Sequence, residues 1–214
     1  MADTLAQLID KVQATLFDDG TLFPDANVTA AARLALQDIN RRCPAHAAVT
    51  IDTVASQLVY ELNDADPAAI SLTDVLLEGD NDNDLPLKFY GFVEDGRWFF
   101  RLDTTQPAGE TLRAHYTIPY TINGLDAATD STLTDELNIA AIAGTVYYCQ
   151  LVRMSRTVEL NNVNPNVAAV WRDAATAWKV RFDDALARAV KDPPARGAPS
   201  EHKWNDPFHS EQYP

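Results

Sequence analysis

The 214-residue sequence holds only two cysteines, Cys43 and Cys149, far apart and without CxxC spacing. A disulfide framework or a thiolate metal cluster needs more, so the expectation is two reduced, buried thiols in a cytosolic setting. Long apolar runs are also missing. The longest, Ile139 to Tyr148, is interrupted by Gly144 and Thr145, and a membrane-spanning helix needs about twenty apolar residues. The opening MADTLAQLID has no basic stretch ahead of an apolar one, so no secretory signal is expected. Positive charge is scarce: 17 Lys and Arg stand against 31 Asp and Glu, for a net charge of −14. Neutralising phosphates with Lys and Arg dominates nucleic-acid affinity, so a chain this acidic is a poor candidate for holding DNA tightly. An acidic surface does suit a passage that DNA traverses without sticking. There is no GxSxG elbow, GxxxxGK[ST] loop or GxGxxG turn, which removes the common hydrolase, nucleotide and dinucleotide signatures. What remains, 46% hydrophobic and 22% charged, is the composition of a globular chain. At this length such a chain buries roughly 70% of its unfolded surface and needs no staple.

Periodicity divides the chain. Leu5, Leu8, Ile9, Val12 and Leu16 recur at helical spacing, with Thr4 and Gln7 placed as a capping box and Asp18-Asp19-Gly20 as a stop. A second stripe, Val28, Ala32, Ala35, Leu36 and Ile39, ends near Cys43-Pro44. From about Val49 the period becomes 2. Asp95-Gly96 between two strand-like runs predicts a hairpin, because that turn needs positive φ. A long alternation, Leu112 to Ile122, carries Pro119 on its opposite face, which points to an edge strand or a bulge. Five to seven short strands are expected, as a small antiparallel sandwich or barrel. Helical period returns after Asn123-Gly124, with capping hydroxyls and acids over Thr132 to Glu136, and the helix runs to about Arg156. Asn164-Pro165 starts the last helix, whose stripe includes Val167, Val170, Trp171, Trp178, Phe182 and Leu186.

The expected fold is α+β, with two N-terminal and two C-terminal helices forming one core. In residue numbers, 1–48 and 123–190 are the helical core, 49–122 an inserted antiparallel β-domain, and 191–214 an extended tail. The tail carries five of the twelve prolines and no periodicity, so it has no packed structure of its own. Yet Trp204, Phe208 and Tyr213 are spaced along it, and each aromatic can bury about 150–250 Å² in a partner.

Candidate chemistry is sparse. The loop Glu78-Gly79-Asp80-Asn81-Asp82-Asn83-Asp84 has the alternating carboxylates that suit calcium. Leu85 and Gly91 occupy the positions where an EF-hand would place Gly and Glu, so the loop reads as a solvated connection between strands. His46, His115, His202 and His209 show no HxxxH spacing. The pair Asp183-Asp184 is adjacent on a helix and reads as exposed charge, and the stripe Trp171, Trp178, Phe182 reads as core. Arg33, Arg41, Arg42, Arg153 and Arg156 sit near helix C-terminal ends, where they complement the dipole and can make subunit contacts. No catalytic, cofactor or metal residues are assigned, and the chain is expected not to be an enzyme. Two other readings stay open. One is a binding module recognising a carbohydrate or another protein through Tyr90, Trp98 or Tyr120. The other is a hydrolase built from His115 and the acidic loop.

The order of segments resembles the head–tail connector, or adaptor, proteins of tailed bacteriophages: TLAQLIDKVQATLFDD, AARLALQDINRRCP, the β insertion, YTIPYTINGLDAATDSTLTDELNIAAIAGTVYYC, and the last long helix with its extended tail. The resemblance covers about residues 3–190. It implies a virion protein of the neck, made in the host cytoplasm, that forms a ring of twelve copies on the portal. That ring extends the DNA channel without reading sequence and provides the platform for tail or neck proteins. Carried over, the last two helices form the ring body, with Arg153, Arg156 and Trp171 at the subunit interface. The tail from Lys191 becomes the portal-docking arm, with Trp204, Phe208 and Tyr213 as anchors. No membrane partner is implied.

Overall fold

The computed structural model describes residues 3–18, 20–62, 69–78, 84–159 and 165–191. Among them the chain forms four helices and seven strands in α+β arrangement. Helix α1 (Leu5–Leu16) opens with the expected capping box: Thr4 accepts from the Gln7 amide, and the Gln7 side chain accepts from the Thr4 amide at 2.9 Å. Its stop comes before the acidic pair. Phe17 takes the left-handed conformation, φ 52°, and Phe17 and Asp18 return their amides to Ala14 and Gln13. Helix α2 (Asp25–Arg42) buries Val28, Ala31, Ala32, Ala35 and Ile39, and ends in Arg41 and Arg42.

Strands β1 (Ala45–Asp52), β2 (Val59–Glu61), β3 (Ser71–Leu77), β4 (Leu85–Pro86), β5 (Phe89–Glu94), β6 (Arg97–Leu102) and β7 (Thr111–Ile118) form two antiparallel sheets, ordered β1-β7-β3-β4 and β2-β6-β5. Their inward faces share a core: Val49, Val75, Leu112, Ala114 and Tyr116 from one sheet, Tyr60, Phe100 and Leu102 from the other. The β5–β6 hairpin turns at Asp95 and Gly96, φ 50° and 76°, as the Asp-Gly pair requires. Strand β7 is not an edge. It is paired on both sides and stops at Ile118, so Pro119 lies past the ladder and its missing N–H costs no strand bond.

Beyond Pro119 the chain enters the other core. Tyr120, Ile122, Leu125 and Leu133 are buried with α1, α2, α3 (Asp135–Glu159) and α4 (Pro165–Lys191). Asn40 of α2 makes the handover. Its Nδ2 donates to the Tyr120 carbonyl at 3.1 Å and its Oδ1 accepts from the Tyr120 amide at 2.6 Å, replacing a strand partner with one side chain. Strand β1 starts at Ala45, paired with Ile118, so both crossings between helices and sheets lie side by side. Helix α3 is capped by Thr134, whose hydroxyl accepts from the Leu137 amide. No described helix is long and apolar enough to cross a membrane.

The N-terminal segment is pinned by a buried carboxylate. Asp3 accepts from Lys11 at 2.7 Å and from Asn138 of α3 at 2.8 Å, and its carbonyl accepts from Ser131. Burial pushes its pKa up, but the bonds from Lys11 and Asn138 outweigh that and leave it below the usual carboxylate range. A carboxyl with a lowered folded pKa contributes stability above its unfolded value, and that contribution disappears as pH falls through the folded value. Asp3→Asn is therefore expected to lower the melting temperature at pH 7. The gap to the unsubstituted protein should close as pH falls below about 4, as measured by thermal melts from pH 7 to 3. A gap of constant width would refute the assignment.

Candidate assembly surfaces

Three helices converge on Gly144. A Cβ built there would lie 3.0 Å from the Ala35 Cβ of α2 and 3.0 Å from the Phe182 ring of α4. Phe182 fills the space this close approach leaves, under a lid of charge. The Arg42 guanidinium lies 5.9 Å from its ring centre and pairs with Asp183 at 2.6 Å, and Lys179 reaches the same carboxylate at 2.7 Å. Asp183, expected from the sequence to be plain exposed charge, is instead paired from two sides. Asp183 and Asp184 do diverge, but α2 passes close enough to pair with the first. Burial raises the Asp183 pKa, while bonds from Lys179 and Arg42 bring it below the ordinary value. Tyr148 donates to Asp38 at 2.5 Å, and burial together with that carboxylate pushes the phenol pKa up. Burial likewise moves the Cys149 thiol up to about 12, and both cysteines are free.

The outer side of α3 and α4 is open. Ile139, Ile142 and Ala143 of α3 and Trp178 of α4 line a groove of about 280 Å³, rimmed by Arg181, Asp184 and Arg188. Ile139 is 56% exposed. The Arg181 guanidinium stacks on Trp178 at 4.4 Å and braces one wall. Of the aromatic stripe on α4, Phe182 is core, while Trp171 and Trp178 are only partly buried.

The residues expected at a subunit interface fall at the other end of α3. Trp171 packs edge-on against Phe23 with ring centres 6.4 Å apart, and Arg153 borders a small hollow with the same Phe23, Leu22 and Val152. The fold thus brings Trp171 and Arg153 together around the loop between α1 and α2. Arg156 lies on α3 with its side chain outside the described residues, as are Trp204, Phe208 and Tyr213 entirely. That loop also holds a residue the sequence reading missed. Phe17, left-handed, is 98% exposed. It stands off the apolar stripe of α1, and its place just before Asp18-Asp19-Gly20 was the only available clue. Asp18 braces the loop by accepting from the Leu22 amide at 3.1 Å and the Phe23 amide at 2.7 Å.

The sheets offer a different surface. On the outer face of β5 and β6, Tyr90 stacks on Phe92 at 6.3 Å and Phe92 on Phe99 at 5.5 Å, with Tyr90 69% exposed. The other two residues of the proposed recognition set do not belong there. Trp98 alternates inward and donates to the Ala69 carbonyl at 2.9 Å, and Tyr120 is buried in the helical core. Arg113 pairs with both Glu78 and Asp84, the two ends of the acidic loop, whose residues 79–83 lie outside the described set. His115 sits opposite Asp74 across the sheet, and burial depresses its pKa against the opposing pull of that carboxylate. Among the described residues no three His, Cys, Asp or Glu side chains gather as a metal site.

No family model and no curated protein matches this chain. Among solved structures, it is similar to a chain in the neck of an empty gene transfer agent particle computed with C6 symmetry. The identity is 16%, the TM-score 0.32, and the match covers 69% of this chain and 77% of that one. It is also similar to a chain in the virion of a native gene transfer agent particle, with 16% identity, a TM-score of 0.31 and the same coverage. Likeness of this degree carries no argument about what the chain does.

Proposed function

We propose that this chain is a structural protein of a virion neck: a head–tail adaptor that docks as a ring on the portal, extends the DNA channel and seats tail or neck proteins. One observation carries the reading. The α3–α4 wall leaves an apolar groove on the helical core, with Ile139 exposed and Trp178 half-buried along it. A neighbouring subunit is the natural cover for such a surface. The acidic balance supports it, because a negative channel repels DNA phosphates and lets the duplex slide. In this reading the chain is no enzyme and needs no cofactor. The β sheets face other virion proteins, and the segment after α4 is the portal-docking arm, anchored by Trp204, Phe208 and Tyr213.

Mixing the full chain with portal and imaging by electron microscopy is expected to show a ring of this protein seated on the portal; bare portals would overturn the reading. Deleting residues 192–214 leaves α4 whole and should preserve the melting temperature while abolishing portal attachment, as read by co-sedimentation. Undiminished attachment would remove the arm from the proposal.

A second reading has its own observation, the stacked Tyr90, Phe92 and Phe99 on an open sheet face, which is the kind of platform that takes a sugar ring or a flat protein surface. Binding on a glycan array that Tyr90→Ala abolishes would favour it, and silence favours assembly.

A further inference from the structure

We infer that the Phe17 side chain is a knob that seats in the α3–α4 groove of a second copy of this chain, making the contact head-to-tail. The inference rests on the ring-forming reading and names its contact. Phe17 holds a backbone conformation that favours glycine, and its ring touches almost nothing of its own chain, at 98% exposure. The loop behind it is fixed by the Asp18 bonds to Leu22 and Phe23, so the ring is presented and not merely loose.

The groove fits this occupant in size and charge. A cavity of about 150 Å³ is enough to take a benzene ring, and the groove offers about 280 Å³ walled by Ile139, Ile142 and Trp178. The knob is followed in sequence by Asp18 and Asp19. The groove is rimmed by Arg181 and Arg188 against a single acid, Asp184, so an acidic knob meets a rim of net positive charge. The same chain does not supply both. Leu22 and Phe23 place the loop beside Cys149 and Val152, while the groove opens at Ile139. Ten residues of α3 separate these points, roughly 15 Å along the axis. Because knob and groove are different patches, each pair keeps one knob and one groove free after pairing. The contact therefore propagates, and closes as a ring when the rotation allows.

Sedimentation velocity and negative-stain microscopy of the full chain over a concentration series test this. Asn tolerates the left-handed position, so Phe17→Asn removes the ring and keeps the helix stop. It should raise the half-assembly concentration about tenfold or more without lowering the melting temperature, and Ile139→Glu should do the same from the other side. In a Cys43→Ser background, Phe17→Cys protein mixed with Ile139→Cys protein should give the mixed disulfide in preference to either self-pair. Buried Cys149 stays out of the exchange. Rings that survive Phe17→Asn and Ile139→Glu alike overturn the knob and leave the ring reading standing. A chain that does not assemble at any concentration, and whose cysteine variants give no mixed disulfide, overturns the knob; bare portals overturn the ring reading with it.

Discussion

Gly144→Val is expected to cost the helical unit about 3 kcal/mol, the upper end of overpacking penalties, and to lower its melting temperature by roughly 10 °C. In an open helix interior, Gly→Ala gains roughly 1 kcal/mol from propensity. Here the first added carbon already meets the Ala35 Cβ and the Phe182 ring at 3.0 Å, tighter than ordinary contact. Even Gly144→Ala should therefore reverse the usual sign and lower the melting temperature. Valine adds two methyls to a site bounded by backbone-anchored atoms on α2 and a ring locked beneath Arg42. Trimming the obstacle supplies the control. Phe182→Leu should be harmful alone yet partly rescue Gly144→Ala, giving a coupling of about 1 kcal/mol in a double-mutant cycle from urea melts. A melting temperature raised by Gly144→Ala would show that the three helices do not meet as described.

Phe100→Ala is expected to cost about 3–5 kcal/mol, the range for removing a buried aromatic, and the loss should fall on the sheets alone. Phe100 is fully buried, pairs with Tyr60 on β2 and stacks on its ring at 5.5 Å, so it joins two strands and fills the shared core. The helical core contains neither residue. Hydrogen exchange should then show lost protection across β2, β5 and β6, with α2, α3 and α4 unchanged. Simultaneous loss in the helices would mean that the two cores unfold as one, coupled through the Asn40 clasp on Tyr120.

Period-3.6 stripes and caps located all four helices, because helix formation is local and Thr4, Thr134 and Pro165 mark starts that need no distant partner. The Asp95-Gly96 turn was legible for the same reason. The run from Leu112 to Ile122 misled in a specific way. An extended chain alternates whichever core it meets, so the period continues through Pro119 although the first half faces Val49 and Val75 and the second faces α1 and α2. Strand order was invisible: nothing local tells β7 that β1 and β3 will flank it. The surfaces proposed for assembly were the least legible. The groove exists only where α3 and α4 cross, and Phe17 reveals itself only when the backbone turns left-handed and leaves the ring outside.

The paired crossings at Ala45 and Ile118 have a consequence for how such a chain can change over generations. Both ends of the β segment leave the helices at the first rung of one ladder, about 5 Å apart, so a two-residue hairpin turn could close the gap in place of everything beyond. The sheets are therefore expected to behave as a replaceable cassette, with the helices keeping their packing whether it is lengthened, exchanged or cut away.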